Sequence, residues 1–172
     1  MEKIPTADRT QDQRFIQMVE LHQTALRRMC YMILRDEELT KDAVQETFLK
    51  AYRTMRNFRA ECNEKTWLMR IAVNTCRDIY RSAWFRHIDK RITPEDLPER
   101  TVQTEIESVE LTMAIMQLPR DLKEITLLYY YQDMTMREVA ETLSISLSTV
   151  SKRLNRAQAK LRLLLEGREI HG

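Results

Sequence analysis

Hydrophobic residues in the first part of the chain are spaced as on an amphipathic helix. They recur at intervals of three and four residues through positions 15–33, and the motif Thr10-x-x-Gln13 has the form of a capping box. We therefore predict a first helix that starts near Thr10 or Asp12. The polar run at positions 35–38 interrupts the pattern and ends this helix.

Two further helices are predicted in this half, at positions 40–56 and 64–85, with a loop near 57–63 between them. The helix at 64–85 has two distinct faces. Its apolar stripe consists of Trp67, Leu68, Ile71, Ala72, Thr75, Cys76 and Ile79. At steps of four, three and four residues, a second face carries Arg70, Asn74, Arg77 and Arg81. Three arginines and an asparagine in line predict a surface that meets phosphates and base edges.

The C-terminal half follows a stretch that disfavours packed structure. Pro94 and Pro98 lie there among acidic residues, which is typical of a linker. Helical spacing resumes near Glu105, and Pro119 begins another helix in its favoured first-turn position. The three consecutive tyrosines at 129–131 are interpreted as packing residues rather than as residues that stack on bases.

A helix-turn-helix is predicted near the C-terminus. Thr135 and Glu138 form a capping box that opens a short helix, and residues 144–147 lead into a second helix with helical apolar spacing. The small Ala140 lies where two such helices must cross closely. The turn contains no glycine, which departs from the usual pattern. A plain helical hairpin is the alternative interpretation of the same spacing.

The second helix of this motif would enter the major groove of DNA and offer its first turns to base edges. Hydroxyl groups bind phosphates or bases, asparagine pairs with adenine, and lysine and arginine favour guanine or phosphate. The residues of the helix that carry such groups are Ser148, Thr149, Ser151, Lys152, Asn155 and Arg156. No acidic residue interrupts them, so we expect a DNA-reading helix.

Charge is distributed unevenly, although the net charge of the 172-residue chain is only +2. Positions 65–91 carry seven basic and two acidic residues, and positions 147–162 carry five basic residues and no acid. The intervening positions 93–110 carry six acids and one arginine. Local positive fields attract phosphate backbones, whereas a solvated helix face is the alternative that charge by itself leaves open.

Composition favours an all-α fold. The chain has only two glycines and four prolines, and 43% of its residues are hydrophobic. No apolar run approaches the roughly 18–20 residues that a membrane span needs, and the polar start lacks a secretory signal, so we expect a cytoplasmic protein without membrane insertion. Cys30 and Cys76 are interpreted as core thiols, Cys62 lies in the predicted loop, and no metal-ligand spacing is present.

The chain resembles the extracytoplasmic-function group of RNA polymerase sigma factors over positions 15–165. The resemblance rests on three strings in this order: DAVQETF at 42–48, KTWLMRIAVNT at 65–75, and Leu118-Pro119 followed by the helix-turn-helix. Their order and separation are much more specific than any one string.

The resemblance implies an all-α fold of two small helical domains. The first, at 1–92, corresponds to sigma region 2, which binds core polymerase and the minus-ten element. A short acidic linker at 93–104 joins it to region 4 at 105–172, whose helix-turn-helix reads the minus-thirty-five element. The linker is too short to hold the region 3 domain of larger sigma factors.

The resemblance also implies roles for individual residues. The surface that docks on the largest polymerase subunit corresponds to Asp42, Gln45 and Glu46. The part that opens the minus-ten element corresponds to Phe58, Arg59, Arg70, Asn74, Arg77 and Arg81. Asn74 is expected nearest the extruded base, and helices near 122–131 would contact the second-largest subunit.

Several aromatic residues of this half have a packing interpretation as well. Phe48 is interpreted as core, and Trp67 is expected inside rather than on DNA. For Tyr80, Trp84 and Phe85, stacking on DNA and closure of the core are equally open.

Family members perform no chemistry and need no cofactor, since the polymerase makes the phosphodiester bonds. The implied partners are core RNA polymerase, promoter DNA and an anti-sigma factor. A stand-alone helix-turn-helix regulator is the alternative; it explains the C-terminal half equally well but leaves the basic face of 64–85 unexplained. An enzyme would need a nucleophile–base pair, paired carboxylates, a metal set or a glycine loop, and Gly167 and Gly172 both lie at the tail.

Overall fold

The structure is a computed structural model that describes residues 6–58, 62–82 and 109–169. All regular secondary structure in these ranges is helical, in agreement with the all-α prediction. The chain divides into two compact units, Met1–Ala83 and Trp84–Gly172. The predicted linker at 93–104 and the helix start near Glu105 lie outside the described residues. None of the helices in the described ranges combines the length and the hydrophobicity that crossing a membrane requires.

The first unit consists of three helices that all pack on one another. They are α1 (Thr6–Leu34), α2 (Glu37–Thr54) and α3 (Glu64–Arg81), and a 3-10 turn at Met55–Asn57 follows α2. The side chains that form the core are buried because each helix turns its apolar stripe inward. They include Met18, Leu26, Met29, Ile33, Ala43, Ala51, Leu68, Met69, Ala72 and Cys76.

The start of α1 and the start of α2 differ from the prediction. Helix α1 begins at Thr6 rather than near Thr10 or Asp12, since the four residues before Thr10 contain no helix breaker. Helix α2 begins at Glu37 rather than near position 40. Asp36 is its N-cap and accepts a hydrogen bond of 3.1 Å from the backbone N–H of Leu39. The acidic run that suggests a break is therefore a cap and a first turn, where negative charge is favourable.

The third helix is shorter than predicted. It begins at Glu64 as expected, with Asn63 as its N-cap, but ends at Arg81 because Ser82 has an extended backbone. Trp84 and Phe85 lie outside the described residues.

The second unit places α7 (Leu147–Glu169) against three shorter segments. These are α4 (Val109–Met116), α5 (Arg120–Thr126) and α6 (Met136–Leu143), and a π-helical turn at Leu127–Tyr131 extends α5. Buried Leu118, Leu122 and Ala157 form a cluster on which Leu161 and Leu164 pack. Pro119 is the N-cap of α5 and not its first helical residue, because its ψ of 147° is extended.

The helix-turn-helix is formed by α6 and α7. The predicted capping box is present: the Thr135 hydroxyl accepts from the Glu138 N–H, and the Glu138 carboxylate accepts from the Thr135 N–H. Ser144 ends α6 in the left-handed region, with φ 53° and ψ 47°. A turn without glycine is thus possible because a serine takes the conformation that glycine adopts most easily.

Candidate nucleic-acid interface

The face of α3 that carries Arg70, Asn74, Arg77 and Arg81 points away from the core; we call it the α3 basic face. Asn74 and Arg81 are exposed, whereas Arg70 and Arg77 are half-buried. The opposite stripe includes Leu68, Ala72 and Cys76, which are all fully buried. Burial of this stripe fixes the rotation of the helix, so the Asn74 amide is held toward solvent.

One of the two acidic residues at positions 65–91 lies beside the α3 basic face. Asp78 lies one turn after Asn74, and its carboxylate is 3.7 Å from the Arg81 guanidinium and 3.8 Å from the Lys50 ammonium. A carboxylate here moderates the positive potential and orients Arg81. The helical spacing from Asn74 was the signal that could have revealed it.

Phe58, which follows the 3-10 turn after α2, packs against Trp67 in the first turn of α3. Their ring centroids are 4.9 Å apart with an interplanar angle of 36°, and both residues are half-buried. Trp67 is therefore engaged in packing, as expected. The guanidinium carbon of Arg14 lies 5.7 Å from the centroid of the Phe58 ring. Arg59 lies outside the described residues.

Tyr80 closes the far end of the same helix. Its hydroxyl donates a hydrogen bond to the Ile33 carbonyl near the end of α1. Of the two interpretations left open for Tyr80, the structure supports packing, since the hydroxyl is used within the unit.

The predicted polymerase-binding residues lie on the outer side of α2. Asp42 and Gln45 are exposed, and the half-buried Glu46 is 3.8 Å from the ammonium of Lys50. Lys50 also donates to the Thr75 hydroxyl at 3.3 Å, which links α2 to α3. Phe48 is half-buried and packs edge-on against Phe15, with ring centroids 6.1 Å apart.

The polar residues at the start of α7 form a second surface, the α7 polar face. Ser148, Lys152, Asn155 and Arg156 are exposed, whereas Thr149 and Ser151 are half-buried. The Ser146 hydroxyl lies 3.0 Å from that of Ser148 and 2.8 Å from that of Thr149, and it accepts from the Thr149 N–H. Ser146 thus caps α7, because an N-cap side chain accepts from the N–H three residues later. A serine directly before Leu147 could have indicated this role.

Arg153 does not belong to this face. Its Nε is 3.5 Å from an Asp121 oxygen, and the side chain retains 27% exposure. The pair joins α7 to α5. The sequence prediction names Arg156 and omits Arg153, but it could not identify Asp121 as the partner of Arg153, because that contact joins two separate helices.

The tyrosines at 129–131 fit the packing interpretation only in part. Tyr130 is 46% exposed, its ring meets Tyr129 edge-on at 4.9 Å, and its hydroxyl accepts from Gln158. Cys30 and Cys76 are buried as predicted, and Cys62 is half-buried. Within the described ranges, no group of His, Cys, Asp and Glu side chains is arranged to hold a metal ion.

These features define a helical protein of two units, each with a polar and basic face suited to nucleic acid. Comparison with known families is specific. The family model for Sigma-70 region 2 matches residues 18–86, and the model for Sigma-70 region 4 matches residues 108–161. The chain belongs to the sigma-70 family of RNA polymerase sigma factors, in its extracytoplasmic-function group.

Individual relatives agree with this assignment. The chain is 30% identical over 165 residues to the RNA polymerase sigma factor NccH of Alcaligenes xylosoxydans xylosoxydans, covering 91% of this chain and 89% of that protein. It is 30% identical over 151 residues to the extracytoplasmic-function sigma factor SigM of Mycobacterium tuberculosis, covering 88% and 76%.

Two solved structures are similar as well. CnrH in complex with the cytosolic domain of CnrY has a TM-score of 0.67 and 25% identity, with 91% of this chain and 90% of that chain covered. The sigma factor RpoE in complex with the anti-sigma factor NepR from Bartonella quintana has a TM-score of 0.71 and 23% identity, with 89% and 97% covered. The second likeness concerns the fold. A sigma factor, and not a stand-alone regulator, is therefore the class of this protein. Sigma factors are initiation factors that act with core RNA polymerase on promoter DNA.

Proposed function

We propose that this protein directs core RNA polymerase to a specific set of promoters through three separate surfaces. Helix α2 binds the polymerase, the α3 basic face together with Phe58 opens the minus-ten element, and the α7 polar face reads the minus-thirty-five element. The observation that carries the proposal is the α3 basic face, because a protein that only docks its helix-turn-helix has no use for a second polar and basic surface.

At the minus-ten element, Asn74 is the residue proposed to bind the extruded base. Its exposed amide can donate and accept hydrogen bonds at a base edge. Extrusion costs a few kcal/mol, which stacking and edge hydrogen bonds must offset. Phe58 supplies an aromatic surface at this site. The residues proposed to hold the backbone phosphates are Arg59, Arg70, Arg77 and Arg81.

At the minus-thirty-five element, α7 enters the major groove with its first two turns. The four exposed residues of the α7 polar face point outward from the unit, while Val150, Leu154 and Ala157 bury the opposite side. The residues proposed to contact DNA are Ser148, Thr149, Ser151, Lys152, Asn155 and Arg156.

The proposed polymerase-binding surface consists of Asp42, Gln45 and Glu46, which contact the largest subunit. Leu49, one turn after Gln45, is 43% exposed, and an apolar side chain among polar ones is typical of a protein interface. In the second unit, the exposed Tyr130 is the residue best placed within 122–131 to contact the second-largest subunit.

We further infer the domain limits 1–92 and 105–172, a cytoplasmic location with the polymerase, and the absence of catalysis by this chain. Family membership supports these three points. Regulation by an anti-sigma factor is also proposed. It is supported by the solved complexes of similar proteins, one with the cytosolic domain of CnrY and one with NepR.

The test is run-off transcription from a genomic library by core polymerase with and without the purified chain. We expect transcripts from a limited set of promoters only when the chain is present. Asn74→Ala should lower promoter opening and leave polymerase binding intact, whereas Gln45→Ala with Glu46→Ala should lower polymerase binding. Failure of the chain to associate with core polymerase would overturn the proposal.

A further inference from the structure

We propose that Arg14 of α1 is a positioning residue for promoter opening, because it holds Phe58 and the first turn of α3 in one arrangement. This inference rests on the proposed function of the region from Phe58 to α3. Arg14 lies 50 positions before Glu64 in the chain, and no sequence motif connects it to DNA.

The Arg14 side chain contacts both Glu64 and Phe58. Its Nε and one terminal nitrogen are both 3.4 Å from the same Glu64 oxygen, and its guanidinium lies over the Phe58 ring. Phe58 precedes the segment that leads to α3, and Glu64 is the first residue of α3. One side chain therefore contacts both ends of that segment.

The surroundings restrict the movement of each partner. The second Glu64 oxygen is 3.7 Å from Nε2 of the buried His22, so two residues of α1 lie close to the Glu64 carboxylate. Phe58 also packs against Trp67, one turn into α3. Phe58 thus contacts both a cation and an indole ring, which restricts the orientations that its ring can adopt.

A direct contact between Arg14 and a DNA phosphate is the competing explanation, since its side chain is 51% exposed. The two roles predict opposite effects at Glu64. If Arg14 contacted phosphate, removal of the neighbouring carboxylate would leave DNA binding unchanged or strengthen it. If Arg14 positions Phe58, Glu64→Gln weakens the arrangement and impairs opening.

The chain offers a closely matched control. Arg27 is also on α1, is 53% exposed, and pairs with Glu37 in the first turn of α2. Arg27→Gln therefore breaks a similar ion pair between α1 and the next helix. Within the described ranges, Arg27 has no contact with an aromatic ring that would correspond to the contact of Arg14 with Phe58.

The experiment uses the full chain with core polymerase on a promoter recovered by run-off transcription. Permanganate reactivity of thymines measures opening on duplex DNA, and the yield of run-off transcript is measured on the same promoter with a premelted minus-ten region, which needs no opening. We expect Arg14→Gln and Glu64→Gln each to lower opening of the duplex about three- to tenfold, with little change on the premelted template. Arg27→Gln should match the wild type on both.

Three results would overturn the inference. The first is normal duplex opening by Arg14→Gln while Asn74→Ala is impaired, which leaves the proposed function standing. The second is an unchanged or increased opening by Glu64→Gln, which points to a phosphate contact. The third is an equal loss on both templates together with a lowered melting temperature, which indicates a purely structural role. Normal opening by Asn74→Ala as well would reject the proposed minus-ten site itself.

Discussion

Two arginines three residues apart on α7 should respond differently to the same substitution. Arg156 is exposed on the α7 polar face, whereas Arg153 is paired with Asp121 of α5 at 3.5 Å. We expect Arg156→Ala to weaken promoter binding by the holoenzyme and Arg153→Ala to affect mainly the stability of the second unit. The pair separates DNA contact from general positive charge, because both substitutions remove one cation from one helix.

The magnitudes follow from the surroundings of each side chain. A base contact by arginine contributes about 1–3 kcal/mol, so Arg156→Ala should reduce affinity by a factor between roughly 5 and 150. If Arg156 contacts phosphate, the slope of log affinity against log salt should fall by about 0.9. Arg153→Ala breaks a partly exposed ion pair, which is worth up to about 1 kcal/mol of unfolding free energy and releases no counterion from DNA.

The assay is a titration of holoenzyme on a fluorescent promoter fragment at four salt concentrations, with thermal unfolding of each free variant. An equal loss of affinity and of salt slope in both variants would refute the reasoning, because it would mean that α7 acts only through its total charge. An unchanged affinity of Arg156→Ala would remove that residue from the minus-thirty-five site.

Three further predictions concern stability. Burial, together with nearby Lys65, lowers the pKa of His22 from its ordinary value of 6.5, against the opposing effect of Glu64. The first unit should therefore be fully stable above pH 6.5 and lose stability as the pH falls toward the lower folded-state pKa. In urea unfolding, His22→Gln should flatten this dependence of stability on pH. Ser144→Gly should raise the unfolding free energy of the second unit by about 0.5 kcal/mol, because glycine relieves the left-handed strain at an exposed position, and calorimetry would detect the higher melting temperature. Thr135→Ala should lower it by about 1 kcal/mol in the same measurement, and an unchanged melting temperature would show that the capping box is unimportant.

The number and kind of helices could be predicted because apolar spacing is strong in both halves. Helix limits were harder, and the errors have identifiable causes. Asp36 and the two glutamates after it were interpreted as a break, although they cap and begin α2. The bend before α2 depends on Arg35, whose φ is 58°, and nothing in the sequence marks an arginine for the left-handed region.

The sequence predicts which residues form the candidate site, but it does not predict which side chains contact one another there. Helical phase brought the residues of the α3 basic face and the α7 polar face to the surface. It could not reveal that Arg14 contacts Glu64 and Phe58, or that Arg153 pairs with Asp121 and does not belong to the α7 polar face. These contacts join residues far apart in sequence, and only tertiary packing decides which of several similar charges meet.

The modest overall charge has a consequence for how the two faces work together. A net charge of +2 provides little general attraction to DNA, and on α3 the carboxylate of Asp78 further offsets the arginines. Each face taken alone should therefore bind a promoter weakly. When polymerase holds both units, binding by one raises the effective concentration of the other, so the affinities combine. We accordingly expect the free chain to bind its promoters far more weakly than the holoenzyme does in the same titration; equal affinities would contradict this view, because a single face would then suffice.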